Sequence, residues 1–340
     1  MAPAMSARPT IADIARECGV SQSTVSRALR DHPSISEARK RSIRTAAENL
    51  GFESRISART LRGEGSKLVA CVVPSISHPF MSCLIERLEA EGALQGYHLM
   101  VANSGGSQNA EKTIVKGLIA RQVDGVFFIP SSFESSAFRL CGSVLPTVVV
   151  TLQSPEWPSI GTSHEEGGRL VAEHFMESGR TSCLLVGPHD DEKFRGFEAY
   201  LESRKVAGFR VERLVADGWD EGLTASVQAN LLENYDARSI RRFDCIFGNN
   251  DLAALGALHA LQDLGIVVPK EIAVCGFDDS PWARVSRPAL SSVAQPVSLM
   301  VRSAFALLQR LMTGETIPPG ERSYSLKPHL VVRDSTYLGK

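Results

Sequence analysis

The chain has 340 residues, 43% hydrophobic and 22% charged, with 37 Lys+Arg against 38 Asp+Glu. That length suits two or three domains, and that mix belongs to a soluble globular protein rather than a disordered one. No apolar run reaches the roughly 18 residues that a bilayer span needs, which excludes a transmembrane protein. The opening MAPAMSARPT has no apolar h-region, so no secretory leader is expected and the protein reads as cytoplasmic. Seven dispersed cysteines without a C-x-x-C pair suit reduced thiols, not a disulfide framework or a zinc site. The overall charge of −1 conceals a division: residues 1–67 carry 12 Lys+Arg and 7 Asp+Glu, and the remainder 25 and 31. A basic head on an acidic body is the asymmetry of a nucleic-acid-binding module joined to something else.

Thr10, with Asp13 three residues on, reads as a helix N-cap with an acidic first turn. Ile11, Ile14, Ala15 and Cys18 follow at helical spacing, and Gly19 stops the helix. Ser21 caps a second helix whose apolar face is Val25, Ala28 and Leu29. Two short helices joined by a tight Gly-containing turn make a helix-turn-helix, whose second helix enters the major groove. Gln22, Ser23, Ser26 and Arg27 occupy its reading positions, and Arg27 can grip guanine through two hydrogen bonds. A third helix, Ser36 to Leu50, sets Ile43, Ala47 and Leu50 on one side and Arg39, Lys40, Arg41 and Arg44 on the other. A plain three-helix bundle with solvated polar faces would share this pattern.

The string TIADIARECGVSQSTVSRALRDHPSISEARKRSIRTAAENLGF closely resembles the DNA-binding head of the LacI/GalR family of bacterial repressors. The similarity runs on into ESRISARTLRGEGSK, the family's hinge segment. The resemblance implies base reading by Gln22, Ser23 and Arg27, and phosphate contact or capping by Ser21, Thr24 and Ser26. It also implies a hinge helix in which Leu61, matched with Ala58, is a wedge between Arg59 and Arg62. An apolar side chain forced into a minor-groove step unstacks and kinks the duplex. Arg30 departs from the asparagine frequent in the family and adds a possible phosphate or base contact, so the operator sequence cannot be borrowed.

Beyond the GEGS joint, apolar runs alternate with amphipathic helices. LVACVVP, YHLMVAN, GVFFIP and PTVVVTL read as strands; after residue 160 the rhythm restarts with CLLVG, residues 210–215, CIFGN and IAVCGF. This is an α/β pattern of parallel sheets covered on both faces, in two lobes, with ligands expected at the carboxyl ends of the strands. No Walker A loop, G-x-G-x-x-G or G-x-S-x-G is present, and HEEGG at 164–168 lacks the second histidine of a zinc protease. No enzyme, cofactor or metal is therefore expected. The pair Asp278–Asp279 suits loop capping or polar-ligand binding better than acid–base catalysis.

The whole body resembles the family's two-lobed, periplasmic-binding-protein-like effector core, through strings such as SHEEGGRLVAEHF and FGNNDLAALGALHALQDLGIVVPKEIAVCGFDDS. The resemblance implies a head at 8–53, a hinge and linker at 54–66, and a core at 67–340. Within the core, one lobe covers about 67–160 and 294–318, and the other about 163–290 and 326–340. Interlobe crossings fall near 160–163, 290–294 and 318–326. It lines the cleft with His78, Pro79, Phe80, Lys193, Trp219, Asn250, Asp278 and Gln295. Phe80 and Trp219 read equally as core residues, and Asp278 as a loop cap. Lys193 stands where the family usually has arginine, losing the planar fork, and Ser163-His164 replaces its usual Asp-Asn.

The implied protein is a ligand-controlled transcription factor, most simply a repressor. It would bind a pseudo-palindromic operator as a homodimer and respond to a small molecule, a sugar or derivative first and a purine second. The chain stops at Lys340 without the heptad helix that makes some relatives tetramers, which favours the dimer. The competing reading is a transporter-associated sugar-binding protein without DNA function.

Overall fold

The computed structural model describes residues 9–29, 31–50, 65–205, 208–216, 218 and 222–337. The chain forms two compact units, Met1–Lys67 and Leu68–Lys340. The first contains α1 (Ile11–Glu17), α2 (Gln22–Leu29) and α3 (Glu37–Asn49). The Asp13 carboxylate reaches back to the Thr10 amide at 2.8 Å and its hydroxyl at 2.6 Å, closing the start of α1. At the other end Gly19 takes φ +61°, the Gly19 amide donates to the Arg16 carbonyl, and the Val20 amide donates to that of Ala15 at 3.0 Å. That double closure needs a left-handed residue, which glycine supplies without steric cost. The turned helices bury Ile14, Ala15, Val25, Ala28, Ile43 and Ala47 in one small core.

In the second unit a first run comprises β1 (Leu68–Val73), α4 (Pro79–Leu94), β2 (His98–Asn103), α5 (Gln108–Ala120), β3 (Gly125–Phe128), α6 (Ser136–Val144), β4 (Thr147–Thr151) and β5 (Ser159–Thr162). A second comprises α7 (His164–Glu177), β6 (Ser182–Gly187), α8 (Glu192–Ser203), β7 (Arg210–Val215), α9 (Gly222–Asn234), β8 (Cys245–Gly248), α10 (Asp251–Asp263), β9 (Ala273–Asp278), α11 (Pro281–Val285) and β10 (Ser291–Ala294). The chain ends with α12 (Val297–Met312), β11 (Ser323–Leu326) and β12 (His329–Val331).

These strands form two six-stranded sheets, ordered β11-β5-β4-β3-β1-β2 and β12-β10-β9-β8-β6-β7. The first is parallel throughout, and in the second only β12 runs antiparallel, against β10. The central strands are buried, as LVACVV and GVFF require when both faces are covered. One face of the first sheet packs with residues of α4 and α12, such as Leu84, Phe305 and Leu308; the other packs with residues of α5 and α6, such as Val115 and Phe138. The second sheet lies between Phe175 and Phe197 of α7 and α8 and the alanine-rich α10 with α9.

The chain passes between sheets three times: after Thr162, at Gln295–Pro296 and at Lys327–Pro328. The second and third crossings lie later than the windows 290–294 and 318–326. The reason for the third is β11, which stays in the first sheet by pairing with β5, Ser323 opposite Ser159 and Leu326 opposite Thr162. Beyond the carboxyl ends of the strands lie His78 in one sheet and Asn249 and Gln295 in the other, where Asp278 is the last residue of β9.

Candidate nucleic-acid interface and ligand cleft

In the head, Ser21, Gln22, Ser23 and Arg27 are exposed on α2, while Thr24 and Ser26 are partly covered. Ser21 caps the helix, its Oγ accepting the Thr24 amide at 3.2 Å and sharing hydrogen bonds with the Ser23 and Thr24 hydroxyls. Arg27 folds back along α2, its Nε donating to the Ser23 carbonyl at 3.3 Å, which leaves its terminal nitrogens at the exposed surface. The arrangement offers hydroxyl, amide and guanidinium groups from one helix face, the chemistry that reads base edges and grips phosphates. Arg30 and the hinge positions Ala58, Arg59, Leu61 and Arg62 lie outside the described residues.

The basic face expected on α3 is smaller than the sequence suggested. Lys40 is buried, its ammonium 2.7 Å from Glu37 and 3.0 Å from Asp31, and Arg44 also pairs with Asp31 at 3.0 Å. The hydrogen bonds to Glu37 and Asp31 hold the Lys40 ammonium above the ordinary lysine range. A lysine stem lies along apolar surface while its head meets carboxylates, so Lys40 serves the bundle rather than DNA.

In the core, Lys193 is the meeting point. It lies in the first turn of α8, capped by Asp191, whose Oδ1 accepts the Lys193 amide at 2.8 Å. Its ammonium sits 4.7 Å from the centre of the Phe277 ring and 3.8 Å from Asp191 Oδ2. A cation over an aromatic face in a half-closed site is held electrostatically as well as by packing. Two glycines make this placement possible. A Cβ on Gly168 of α7 would stand 1.8 Å from the Lys193 carbonyl oxygen, and one on Gly196 would stand 2.0 Å from that of Glu165.

His78 caps α4 from the end of β1, is buried, and its Nδ1 has no partner. Burial, with the Lys193 charge second, pushes its imidazole down to about 4, so the ring is neutral. Asp278 closes β9 with its Oδ1 accepting from Gln295 Nε2 at 2.7 Å. Burial raises its carboxyl to about 6, against the opposing pull of Lys193 and the Gln295 bond. Gln295 is itself buried and its Oε1 is unpartnered. The structure thus brings His78, Lys193, Asp278 and Gln295 together from both lobes.

Other expected cleft residues fall differently. Phe80 is 3% exposed and belongs to the first lobe's apolar core with Leu84 and Met300, so the packing alternative describes its surroundings. Asn250 spends its Oδ1 on capping α10, accepting the Ala253 amide at 2.8 Å. Trp219 lies outside the described residues. Sequence reading missed Asn249, whose Nδ2 donates to Asp191 at 3.2 Å and whose buried Oδ1 is unpartnered. Asp191 and Phe277 were missed too, though the N-cap position of an aspartate before Glu192 was a readable signal for the first. His164, in the Ser163-His164 pair, has its Nδ1 3.3 Å from Glu192 and its ring edge-on to Phe277. Burial lowers its pKa, partly countered by Glu192.

Two surface hollows of about 420 and 430 Å³ lie elsewhere, one beside Trp282 and His259, the other beside Trp157 and Arg322. Neither contains the Lys193 cluster, which is marked by its unpartnered polar atoms. Among the described residues no group of His, Cys, Asp and Glu could hold a metal ion, and no helix is long and apolar enough to cross a membrane.

A helix-turn-helix head joined to a two-lobed core with polar groups at the strand ends defines a ligand-responsive DNA-binding regulator. Residues 10–54 match the family described as "Bacterial regulatory proteins, lacI family", and residues 172–336 match the "Periplasmic binding protein-like domain". The chain is 30% identical over 336 residues to the HTH-type transcriptional regulator GntR of Pseudomonas aeruginosa, covering 97% of this chain and 96% of that protein. It is 28% identical to catabolite control protein A of Priestia megaterium, over 96% of this chain and 99% of that one. A lac repressor dimer bound to operator and an anti-inducer shares its fold, with a TM-score of 0.78 at 24% identity, over 97% of this chain and 99% of that one. The regulator CelR in complex with cellobiose gives 0.68 at 26% identity, over 96% and 100%. The chain belongs to the LacI/GalR family and is a LacI-family transcriptional regulator.

Proposed function

We propose that this regulator is a cytoplasmic, non-enzymatic repressor that binds a pseudo-palindromic operator as a homodimer and responds to a sugar or sugar derivative held between its lobes. Gln22, Ser23 and Arg27 read bases, with Ser21, Thr24 and Ser26 toward phosphates and Arg30, Ala58, Arg59, Leu61 and Arg62 at the operator centre. In the core, Lys193, Asp278, Gln295 and His78 contact the effector, Asn249 joins them, and Asn250 shapes the start of α10. The observation that carries the ligand site is the convergence on Lys193 of buried polar atoms lacking partners: His78 Nδ1, Gln295 Oε1 and Asn249 Oδ1. Buried polar atoms without partners cost stability, so their clustering at strand ends fits a ligand that supplies the missing bonds. The relative bound to cellobiose supports a sugar as the class.

Sliding of one lobe against the other on ligand binding would alter the geometry presented to DNA, with a coupling typically about 1–3 kcal/mol, or 5–150-fold in affinity. Thermal-shift screening over monosaccharides, disaccharides, sugar acids and nucleobases tests the site. A ligand at 100 times its Kd stabilises by about 2.7 kcal/mol. Stabilisation by a sugar that vanishes in Asp278→Asn is expected; stabilisation by nucleobases alone overturns the sugar assignment.

A further inference from the structure

We propose that Asp251 and Arg333 are positioning residues that hold the Asp278–Asp279 turn and so aim the Asp278 carboxylate, a role that rests on reading Asp278 as a ligand contact. Asp278 has φ +109° and Asp279 φ +50°, the one consecutive pair of non-glycine residues with positive φ among the described residues. Side chains rarely adopt such conformations, and a strained turn persists only where its surroundings over-determine it.

The restraints come from segments far apart in sequence. The Ser280 amide donates to Asp251 Oδ2 at 2.6 Å. The Asp279 amide donates to Ser292 Oγ at 2.9 Å, and that hydroxyl donates to Asp251 Oδ1 at 2.6 Å. Both amides following Asp278 therefore terminate on one carboxylate, directly or through Ser292. Asp251 is 2% exposed and begins α10, where the helix N-terminus favours an acceptor. From the opposite side Arg333, beyond β12, donates to the Leu290 carbonyl at 2.7 Å and pairs with the Asp279 carboxylate, which Arg284 also meets at 3.0 Å. With the turn fixed, Asp278 is left facing Gln295 and the charge of Lys193.

The charged and titratable groups around this pair are Lys193 and Asp191 from the α8 end, Cys83 of α4, Cys275 of β9, Arg284 of α11 and Arg333. Burial, then the charge of Asp278, raises the Asp251 carboxyl to about 8. The two acids therefore resist ionising together. A residue that merely filled space would leave the titration of Asp278 untouched.

The test is a carbon-13 NMR titration of the ligand-free full-length chain with labelled aspartate, the Asp278 signal being assigned with Asp278→Asn. Asp251→Asn is expected to lower the Asp278 midpoint by half a unit or more, as the released turn lets water reach the carboxylate; Arg333→Gln is expected to raise amide exchange at Asp279 tenfold or more, and Arg333→Lys to recover at least half of that effect. Amide exchange at Asp279 and Ser280 should rise tenfold or more in Asp251→Asn, with strand β6 as protected as before. Ser292→Ala, a milder change, should release the Asp279 amide but not that of Ser280. Unchanged Asp278 midpoints and exchange rates in folded variants would overturn the proposal. No ligand enters the measurement, so a wild-type chain that bound no sugar would count against the ligand-site reading alone.

Discussion

The head and the core present their working groups in opposite ways. On α2 the proposed reading groups are exposed, and the bundle is held by Ile14, Val25, Ile43 and other buried residues. In the core the proposed ligand groups are buried, Asp278 and His78 have displaced pKa values, and polar atoms are left without partners. DNA brings its own charge and hydrogen-bonding surface, so the head needs only a rigid frame and projecting side chains. A small ligand offers far less surface and must be enclosed to be held, so the proposed site can tolerate unfavourable burial that a ligand would relieve. Function and stability are accordingly separable in the head and entangled in the core.

The largest expected breach of that contrast is at the crossing of α7 and α8. Gly168→Val or Gly196→Val would drive a side chain into backbone carbonyls at about 2 Å, and should cost about 3–5 kcal/mol in thermal denaturation while removing any ligand response. Next comes pH. The folded values of Asp278 and Asp251, about 6 and about 8, lie above the ordinary carboxylate value. Their protonated forms therefore favour the fold: the contribution is complete at acidic pH and is lost as pH rises through 6 and then 8. His78 acts in the other direction, its contribution present above the ordinary imidazole value and lost as pH falls through about 4. Raising pH from 5.5 to 8.5 should lower core stability by on the order of 2–3 kcal/mol, and Asp251→Asn should flatten the upper part of the curve in calorimetry.

Smaller effects belong to the head. Arg27→Ala should lose about 1–3 kcal/mol of specific DNA binding and relax one operator position, with the melting temperature unchanged. An equal loss on every DNA sequence would make Arg27 a phosphate contact instead. Gly19→Ala should cost about 1 kcal/mol of head stability, because at φ +61° a Cβ is strained and glycine has none.

Legibility followed the same division. The head was readable because its signals are local: a capping pair, a glycine stop and helical spacing all lie within a few residues of one another. The alternating core was readable because strands such as LVACVV and CIFG are runs of large apolar residues. The strands SIGT, SSVA and SYSL were not, since they are built mostly of small or polar residues. SIGT and SYSL pair with each other across more than a hundred and fifty residues, and the third crossing was accordingly placed too early. The site was half visible. Lys193 and Asp278 stand in recognisable strings, whereas Asn249 and Phe277 join them only because the start of α8 comes against the ends of β8 and β9. Lys40 was read on the basic side of the third helix because a sequence does not show that Asp31 folds back over it.

The central claim is that an exposed head reads DNA under the control of a buried site in the core. Its most direct test is fluorescence anisotropy of a labelled pseudo-palindromic duplex, selected on the full-length protein from a random library, titrated with and without the sugars found by thermal shift. A 5–150-fold change in DNA affinity is expected for the wild type and none for Asp278→Asn, whose affinity without sugar should be unaltered. An Asp278→Asn protein that still responded, or a wild type whose DNA affinity ignored every sugar it bound, would contradict the account.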